Sequence, residues 1–381
     1  RSRDLFKTWL KDRVMINDDK DAIYIYSLEY KKASALIEQI GFIGLMGLEP
    51  EGAGKVLPHE NTLAAPKEDR LSLTRSVKAN LSPIFVLYED KTHGLTRMLK
   101  KFISENKALI DVKSDGVRHR IWKFEDQGSI KVIEDIMAHK DIFIADGHHR
   151  YEASRMYLNE TNSSALPQDV KDNSKYMMVY FVEMDERMLT ILPAHRVVKD
   201  IGGLNKEEIL EKLNKYFHVD KIRGLKALLA KMKRSAKSHM FGMYPDKKDY
   251  YLLRLKSVKE SDKAIKNHST KAQGCPEFIE GRSRGIRNKP KPWKALDVSI
   301  LHQFIIQHVL GIRDDDDNID FFHSAEETVE SVDSGKFKLA FFLNPTKVSE
   351  VKKIARIGER MPRKATYFYP KPLSGLVINK F

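Results

Sequence analysis

Residues 140–158, KDIFIADGHHRYEASRMYL, determine the expected fold of the first half of this chain. The apolar run DIFIA predicts a strand, the Asp-Gly pair predicts a tight turn, and the residues after it predict a helix that begins at His-His-Arg. Backbone N–H groups at a helix start lack intrahelical partners and lie at the positive end of the helix dipole. The segment therefore predicts an anion site, where a phosphate would find donors already directed toward it.

Three side chains at this helix start, those of His148, His149 and Arg150, add further donors to the backbone amides. Helical spacing predicts that His149 faces the core and that His148 points elsewhere. The residues expected on the core side with His149 are Ala153, Met156 and Tyr157. Two other interpretations stay open: the histidines have no role in binding, or His148 binds a metal ion together with Glu152 or Asp146.

Strand-like and helical patterns alternate along the chain, which predicts an α/β or α+β fold. The strand-like runs of the first 200 residues are AIYIY, GFIGLMGL, PIFVLY, RIWKF, DIFIA, YMMVYFVEM and MLTILPAHRVV. After Gly202 come a helical pattern in KEEILEKLNKYF, strands in SHMFGMY and YYLLRL, and a long helix in LDVSILHQFIIQHVL. We expect a core that carries the Asp-Gly turn at residues 1–202 and a C-terminal α/β portion at residues 203–381.

Composition narrows the class of protein. The chain has 381 residues with 41% hydrophobic content, which suffices for two or three modest cores. Its single cysteine, Cys275, excludes an intrachain disulfide and fits a reducing compartment. There is no apolar run of membrane-spanning length and no signal peptide, so we expect a cytoplasmic protein that binds no membrane.

The net charge of +14 raises the question of nucleic-acid binding. Residues 257–291 hold nine Lys or Arg against four Asp or Glu, with almost no aromatic residues and no sustained periodicity. We interpret this segment as a disordered insertion or linker, because it lacks periodicity and contains clusters of Gly, Pro and Ser. The aromatic side chains with which a nucleic-acid-binding arm would stack on bases are missing. The remaining charge is spread along the chain and suits small anionic substrates equally well, so the sequence argues against a nucleic-acid partner.

Further candidate residues lie outside the Asp-Gly turn. Glu60 belongs to KVLPHENTLAAPKEDR, residues 55–70, which we interpret as a rigid polar loop, and a carboxylate held among cations can act as a general base. Arg196 follows His195 at the end of a strand and is either a second anion clamp or part of a surface pair. Lys371 lies on a proline-interrupted C-terminal strand, where it could reach a phosphate or serve only to prevent edge pairing. The run DDDD at residues 314–317 is expected to be a solvated turn. Walker, Rossmann and hydrolase-elbow motifs are absent.

The motifs ADGHHRYEA, LPHENT, PKEDR, AHRVV, LDVSILH and MPRKATYFYPKPLSG, which span nearly the whole chain, resemble domain-of-unknown-function family 1015. Two features depart from that pattern: the segment after Ser257, and Ala365 where the family has serine. The DGHHR string is similar to the phosphate-binding turn of the ParB/sulfiredoxin-like fold, and within that fold to free-serine kinases. The resemblance therefore implies a ParB/sulfiredoxin-like nucleotide-binding core.

This resemblance also implies a function. Free-serine kinases carry an Asp-Gly-His-His-Arg string and an upstream glutamate base, and members of family 1015 tend to be encoded beside serine-biosynthesis genes. By this resemblance, Asp146, Gly147, His148, His149 and Arg150 would form the nucleotide phosphate site.

Glu60 would take the proton of the serine hydroxyl, and Asp146 and His148 would also take part in catalysis. The expected ligands are ATP or ADP, Mg²⁺ and serine or phosphoserine. The alternatives are a metal-dependent phosphatase built on Asp146, His148 and Glu152, and a nucleotide-gated binding module related to ParB.

Overall fold

The computed structural model describes residues 1–32, 34–50, 54–234, 238–246, 249–257, 289–315 and 317–381. The chain divides into two compact units: unit 1 comprises Arg1–Thr190 and Phe368–Phe381, and unit 2 comprises Ile191–Tyr367. The expected division after residue 202 differs from this arrangement in two respects. A strand at His195–Val198 pairs within the sheet of unit 2, and the C-terminal strand Asn379–Lys380 pairs with Ala79–Asn80 in unit 1. Of the predicted insertion, residues 258–288 lie outside the described residues.

Unit 1 is built on a mixed eight-stranded sheet with the order β3-β8-β5-β9-β2-β1-β7-β6. Its strands are β1 (Ile23–Lys32), β2 (Ala35–Gly47), β3 (Val56–Leu57), β4 (Ala79–Asn80), β5 (Ile84–Tyr88), β6 (Ile110–Ser114), β7 (Val117–Phe124), β8 (Ile142–Asp146) and β9 (Tyr176–Glu183), with β4 outside the large sheet. Its helices are α1 (Ser2–Lys11), α2 (Ala64–Val77), α3 (Gly94–Glu105), α4 (Gln127–Met137), α5 (His148–Asn162) and α6 (Gln168–Asn173). Strand β5 runs parallel to β9 and antiparallel to β8. The mixed α/β class is confirmed.

The core of unit 1 explains where α5 lies. Tyr151 packs with α3, α4 and one face of the sheet, whereas Ala153 and Tyr157 pack against Leu71 of α2. The predicted core face of α5 is partly wrong, because Met156 is 37% exposed and His148 is only 6% exposed. The first turn of α5 contacts the loop before α2, and this contact buries the histidine that the helical pattern had directed away from the core.

Unit 2 contains a six-stranded antiparallel sheet with the order β12-β14-β13-β16-β11-β15. The remaining strands are β10 (Thr190–Leu192), β11 (His195–Val198), β12 (Phe217–Ile222), β13 (Met240–Asp246), β14 (Asp249–Leu255), β15 (Ile319–Phe322), β16 (Leu339–Phe342), β17 (Tyr367–Tyr369) and, in unit 1, β18 (Asn379–Lys380). The helices are α7 (Lys206–Asn214), α8 (Leu225–Arg234), α9 (Lys291–Lys294), α10 (Asp297–Ser299), a π-helix (Ile300–Val309), α11 (Ala325–Asp333) and α12 (Val348–Arg356). The predicted long helix is thus a short α-helical turn continued as a π-helix. No helix among the described residues has the length and apolar character needed to cross a bilayer.

The sheet of unit 2 buries apolar residues on both faces. The π-helix contributes Leu301, Phe304 and Ile305 to the core on one face, and α8 contributes Leu228 and Met232 to the core on the other. Strands covered on both faces place their polar residues in the interior, so His195 of β11 is only 2% exposed. Its Nδ1 accepts a hydrogen bond from the Leu343 N–H at 3.3 Å.

Buried His195 should make unit 2 sensitive to acid. Burial, with a smaller contribution from the charge of Arg196, lowers the pKa of His195 from 6.5 to about 3. Between these values the unfolded chain binds a proton at position 195 that the folded chain excludes. The free energy of unfolding should therefore decrease as the pH falls from 6.5 toward 3, by up to about 1.4 kcal/mol per pH unit from this residue.

The matched variant is His195→Asn, which keeps a hydrogen-bond acceptor near Nδ1 but does not titrate. We expect urea denaturation at pH 7 and pH 5 to show a smaller loss of stability for this variant than for the wild type. Equal losses would contradict the assignment of the acid sensitivity to His195.

Candidate functional site

The turn between β8 and α5 has the geometry that the sequence predicts. Asp146 is the last residue of β8, and Gly147 is the N-cap of α5 with φ +98°. The first hydrogen bond within the helix runs from the Tyr151 N–H to the Gly147 carbonyl at 2.9 Å. The N–H groups of residues 148–150 therefore precede the first intrahelical bond and lie at the positive end of the helix dipole.

Position 147 requires glycine because of its backbone conformation and because of the atoms close to it. Its φ lies in the left-handed region, where an L side chain is strained. A Cβ atom there would lie 2.7 Å from Ile84 Cγ2 and 3.0 Å from the Arg150 Nη2. The close approach fixes the turn against the first residue of β5.

Gly147→Ala should be strongly destabilising. We expect the free energy of unfolding to fall by about 2–4 kcal/mol, because conformational strain and the clash with Ile84 add together. Gly116→Ala is the matched control: Gly116 also has positive φ, but its Cβ would meet nothing within 4 Å, so about 1 kcal/mol is expected. Urea denaturation measures both values, and equal losses would show that the clash contributes nothing.

Asp146 lies between two cations. Arg150 Nη2 donates to Asp146 Oδ2 at 2.9 Å, and Lys371 Nζ donates to Asp146 Oδ1 at 2.6 Å. Burial raises the pKa of Asp146, but the charges of Lys371 and Arg150 outweigh burial and hold it below its usual value. The carboxylate is therefore ionised, and both of its oxygens accept hydrogen bonds from side chains. The three groups carry a net charge of about +1 beside the helix start.

Arg150 also anchors the segment before β5. Its Nη1 donates to the carbonyl of Ser82 at 3.2 Å and to the carbonyl of Pro83 at 2.7 Å. The guanidinium thus joins the end of β8 to the beginning of β5. In these contacts Arg150 positions Asp146 and supports the turn.

The two histidines of the turn bind the loop that precedes α2. His148 Nε2 accepts a hydrogen bond from the backbone N–H of His59 at 3.3 Å, and His149 Nε2 accepts one from the backbone N–H of Leu63 at 3.0 Å. The ring of His59, which is fully buried, packs edge-on against the ring of His148 with centroids 4.7 Å apart. An Nε2 atom that accepts a hydrogen bond carries no proton, so in these contacts each histidine is neutral and protonated at Nδ1. We call this pair of contacts the histidine clamp.

Glu60 lies within the loop that the histidine clamp holds. It follows His59 directly and is half-buried. The expected rigid polar loop at residues 55–70 is only partly right, because α2 begins at Ala64 and includes Pro66 in its first turn. Proline is tolerated there because first-turn N–H groups have no intrahelical partners. The clamp brings the loop of Glu60 to the start of α5, a proximity that the sequence could not establish.

Arg196 lies in unit 2 and is buried with 1% exposure. Its Nε donates to His302 Nε2 at 2.9 Å, its Nη2 donates to the Arg363 and Lys364 carbonyls at 3.2 and 3.1 Å, and its Nη1 contacts the Ala194 carbonyl. A cavity beside Arg196 has a volume of about 10 Å³, which is room for a water molecule and not for a phosphate. These contacts argue for a structural role rather than for the predicted anion clamp.

The acidic run at residues 314–317 is not simply a solvated turn. The Asp314 carboxylate is 8% exposed and lies 2.9 Å from His302 Nδ1, and it also accepts a hydrogen bond from Gln307 Nε2 at 2.8 Å. Burial lowers the pKa of His302, although Asp314 acts in the opposite direction. The first carboxylate of the run thus completes a buried polar chain that ends at Arg196, and the expectation of full solvation was wrong for it.

The residues proposed for a metal-dependent phosphatase do not form a common ligand set. Asp146 is bonded to two cations, and Glu152 Oε2 accepts a hydrogen bond from Arg155 at 3.2 Å. Within the described ranges, a group of His, Asp and Glu ligand atoms lying within 4.8 Å of one another is found at His93, Glu183 and Asp185, at the far end of β5 and β9. The contacts of Asp146 and Glu152 therefore weigh against a metal at the Asp-Gly turn.

Sequence reasoning placed His59 in the polar loop without giving it a role, and it missed the carbonyls of Ser82 and Pro83. Every residue has a backbone carbonyl, so the residue type does not show which carbonyl accepts a hydrogen bond from a guanidinium. His59 had a possible signal, because histidine beside a candidate base in a proline-bounded segment suggests a positioned loop. Lys371 was proposed as a phosphate ligand, and the structure places it on Asp146.

The fold and the turn define a mixed α/β protein with a candidate phosphate site at a helix start. The chain belongs to the family described as "Protein of unknown function (DUF1015)", whose model matches residues 1–299. The membership inferred from the motifs is confirmed, although the match ends before the C-terminal motif at residues 361–375. The likeness of the turn to the ParB/sulfiredoxin-like fold stays a prediction.

No curated protein matches the sequence. Among solved structures, the chain is similar to a conserved hypothetical protein from Pyrococcus furiosus, with 11% identity, a TM-score of 0.39 and coverage of 89% of this chain and 95% of that one. It is similar to a free serine kinase in complex with AMP, with 12% identity, a TM-score of 0.37 and coverage of 87% and 92%. It is also similar to SbnI with a C-terminal truncation from Staphylococcus aureus, with 12% identity, a TM-score of 0.39 and coverage of 88% and 87%.

Proposed function

We propose that the protein is a nucleotide-dependent phosphotransferase that moves a phosphoryl group between a nucleotide and the hydroxyl of free serine, in either direction. The observation that carries the proposal is the start of α5, where the positive end of a helix dipole, a left-handed glycine and a net positive cluster coincide. Catalysis of phosphoryl transfer depends mainly on positioning and on neutralising charge, and this arrangement supplies both.

The nucleotide phosphates would bind the backbone N–H groups of residues 148–150. Gly147 supports this geometry, since its left-handed backbone conformation forms the turn that precedes these amides. The side chains of His148, His149 and Arg150 support that site by fixing the loop, Asp146 and the start of β5. The proposal thus assigns phosphate binding chiefly to the backbone and positioning to the side chains.

Glu60 would act as the general base. In the kinase direction its carboxylate takes the serine Oγ proton, a bond forms between Oγ and the terminal phosphorus, and the bond from that phosphorus to the bridging oxygen breaks. The shortened nucleotide leaves with the electron pair. The position of Glu60 supports this role. His59 and Leu63, which lie on either side of it in the chain, are hydrogen-bonded to the start of α5 through the histidine clamp.

Mg²⁺ would enter as the complex with the nucleotide. This ion commonly keeps several waters and binds through substrate phosphates and one or two carboxylates. Asp146 is poorly suited to hold it, because both carboxylate oxygens already bind cations. When bound with the nucleotide, Mg²⁺ would neutralise phosphate charge.

Phosphorus NMR tests the reaction class. The protein is incubated with phosphoserine and Mg²⁺, with and without ADP or AMP, in one buffer. The proposal predicts that phosphoserine is lost only with nucleotide and that a new nucleotide phosphate resonance appears. Formation of inorganic phosphate without nucleotide would show that the protein is a hydrolase and not a transferase. Absence of any change would reject serine as the substrate.

A further inference from the structure

Unit 2 contains a partly open cavity of about 340 Å³ that the proposed transfer reaction does not use. The residues that line it come from five places in the fold: the end of α8, the start of β13, α10, the segment after β16 and the first turn of α12. They are Lys233, Ser238, His239, Asp297, Asn344, Pro345, Lys347 and Glu350. Ligand cavities of this size lie at the small end of the usual range, so a small molecule is the appropriate occupant.

A paired histidine and carboxylate form one side of this cavity. His239 Nδ1 lies 2.7 Å from Asp297 Oδ1, and both side chains are about a quarter exposed. The carboxylate orients the imidazole by accepting from Nδ1. Asp297 keeps a further carboxylate oxygen, which can accept a hydrogen bond from an ammonium group.

Two lysines supply positive charge at this cavity. Lys233 and Lys347 are exposed at the cavity, and Lys347 is the N-cap of α12. The Lys347 N–H donates to Glu350 Oε2 at 2.8 Å, which fixes the second carboxylate at the helix start. Besides the imidazole of His239, the lining therefore holds two positive and two negative side chains.

Such a lining selects against several ligand classes. A simple anion would meet two carboxylates, and a simple cation would meet two lysines. No Phe, Tyr or Trp is among the lining residues in the described part of the chain, and the one aromatic ring there, the imidazole of His239, is paired with Asp297 and offers a nucleotide base only a small stacking surface. A small molecule that carries one charge of each sign fits better than any of these.

We propose that this cavity binds a free α-amino acid, with the carboxylate near Lys233 and Lys347 and the ammonium group near Asp297 and Glu350. Charge-assisted hydrogen bonds of both signs would then recognise the main-chain atoms common to this class. The proposal does not rest on the transfer reaction, because it requires binding alone and is carried by residues of unit 2.

Ligand-observed NMR of the full chain with each proteinogenic α-amino acid tests the proposal. The strongest binder is then compared with its analogue lacking the carboxylate and its analogue lacking the ammonium group. We expect saturable binding of an amino acid and about tenfold weaker binding of both analogues, since each lacks one charged contact. An analogue without the ammonium group that binds equally well would overturn the zwitterion assignment.

Variants locate the binding. Lys233→Met and Asp297→Asn should each weaken the amino acid about tenfold. Lys231→Met is the matched control, because Lys231 is also exposed in the last turn of α8 but does not line the cavity. Lys233 is exposed, so its replacement should leave the fold intact even if Asp297→Asn disturbs it. No amino-acid binding, or binding unchanged in Lys233→Met, would overturn the proposal whatever the outcome of the phosphorus NMR experiment.

Discussion

Glu60→Gln should lower the rate of phosphoryl transfer by about 100-fold to 10,000-fold, because an amide cannot take the proton that the serine hydroxyl releases. The affinity for nucleotide should change little, since the proposal assigns phosphate binding to the amides at the start of α5. Single-turnover transfer measures the chemical step, and calorimetric titration with ADP measures binding. A large loss of the transfer rate with little change in the affinity for ADP would identify Glu60 as a general base.

Asp69→Asn provides the matched control for Glu60→Gln. Asp69 is an exposed carboxylate on α2, in the same segment of the chain, and its ion pair with Arg70 is long at 3.8 Å. Its replacement removes one negative charge and should leave the transfer rate unchanged. Retained turnover in Glu60→Gln would remove Glu60 from the mechanism, and equal losses in both variants would indicate an effect of net charge.

His149→Ala should lower kcat/KM for transfer by about 2-fold to 10-fold through the position of Glu60. The variant removes the acceptor of the exposed Leu63 N–H, and the net contribution of such a hydrogen bond is about 0.5–1.5 kcal/mol. The loop that carries Glu60 would then occupy its productive position for a smaller fraction of time. We expect kcat to fall while the KM for nucleotide stays within about threefold, because phosphate binding does not use this imidazole.

His149→Gln tests whether another acceptor for the Leu63 N–H can replace the imidazole. The Oε1 atom of glutamine lies near the position of the histidine Nε2 and can accept from the Leu63 N–H, so this variant should recover most of the activity. His139→Ala, at an exposed histidine before β8, should have no effect. If nucleotide affinity fell in step with kcat/KM in His149→Ala and glutamine gave no recovery, His149 would be a phosphate ligand, and its role in the histidine clamp would be rejected.

Local patterns predicted the scaffold of the site well. The DIFIA strand, the Asp-Gly turn and the helix after it lie where the sequence placed them, because each depends on residues a few positions apart. Strand runs in the first 190 residues were likewise predictable from short apolar segments. The mixed sheet follows from the alternation of these segments with amphipathic helices.

Long-range partners were not predictable from the sequence. Lys371 meets Asp146 across 225 positions of sequence, and His148 meets the backbone of His59 across 89. The helical pattern directed His148 away from the core because it considered only the face directed at the sheet. The loop before α2 buries the other side of the first turn, which reverses the assignment.

Arg196 illustrates the same limit in unit 2. An arginine beside a histidine at a strand end suggests anion binding, yet the strand lies inside a sheet covered on both faces. The guanidinium there meets carbonyl groups and His302, whose other nitrogen is paired with Asp314. The residue type correctly predicts a positive charge at position 196. Because the guanidinium is buried, its contacts stabilise the fold.

The central claim is that nucleotide phosphates bind the backbone amides at the start of α5. An ADP titration followed by the amide resonances of the isotopically labelled protein tests this claim most directly, with adenosine as the control that lacks phosphate. The account predicts saturable shifts of the His148, His149 and Arg150 amide signals with ADP and much smaller shifts of these signals with adenosine. Binding of ADP that leaves these three amide signals in place, or equal shifts with adenosine, would contradict it.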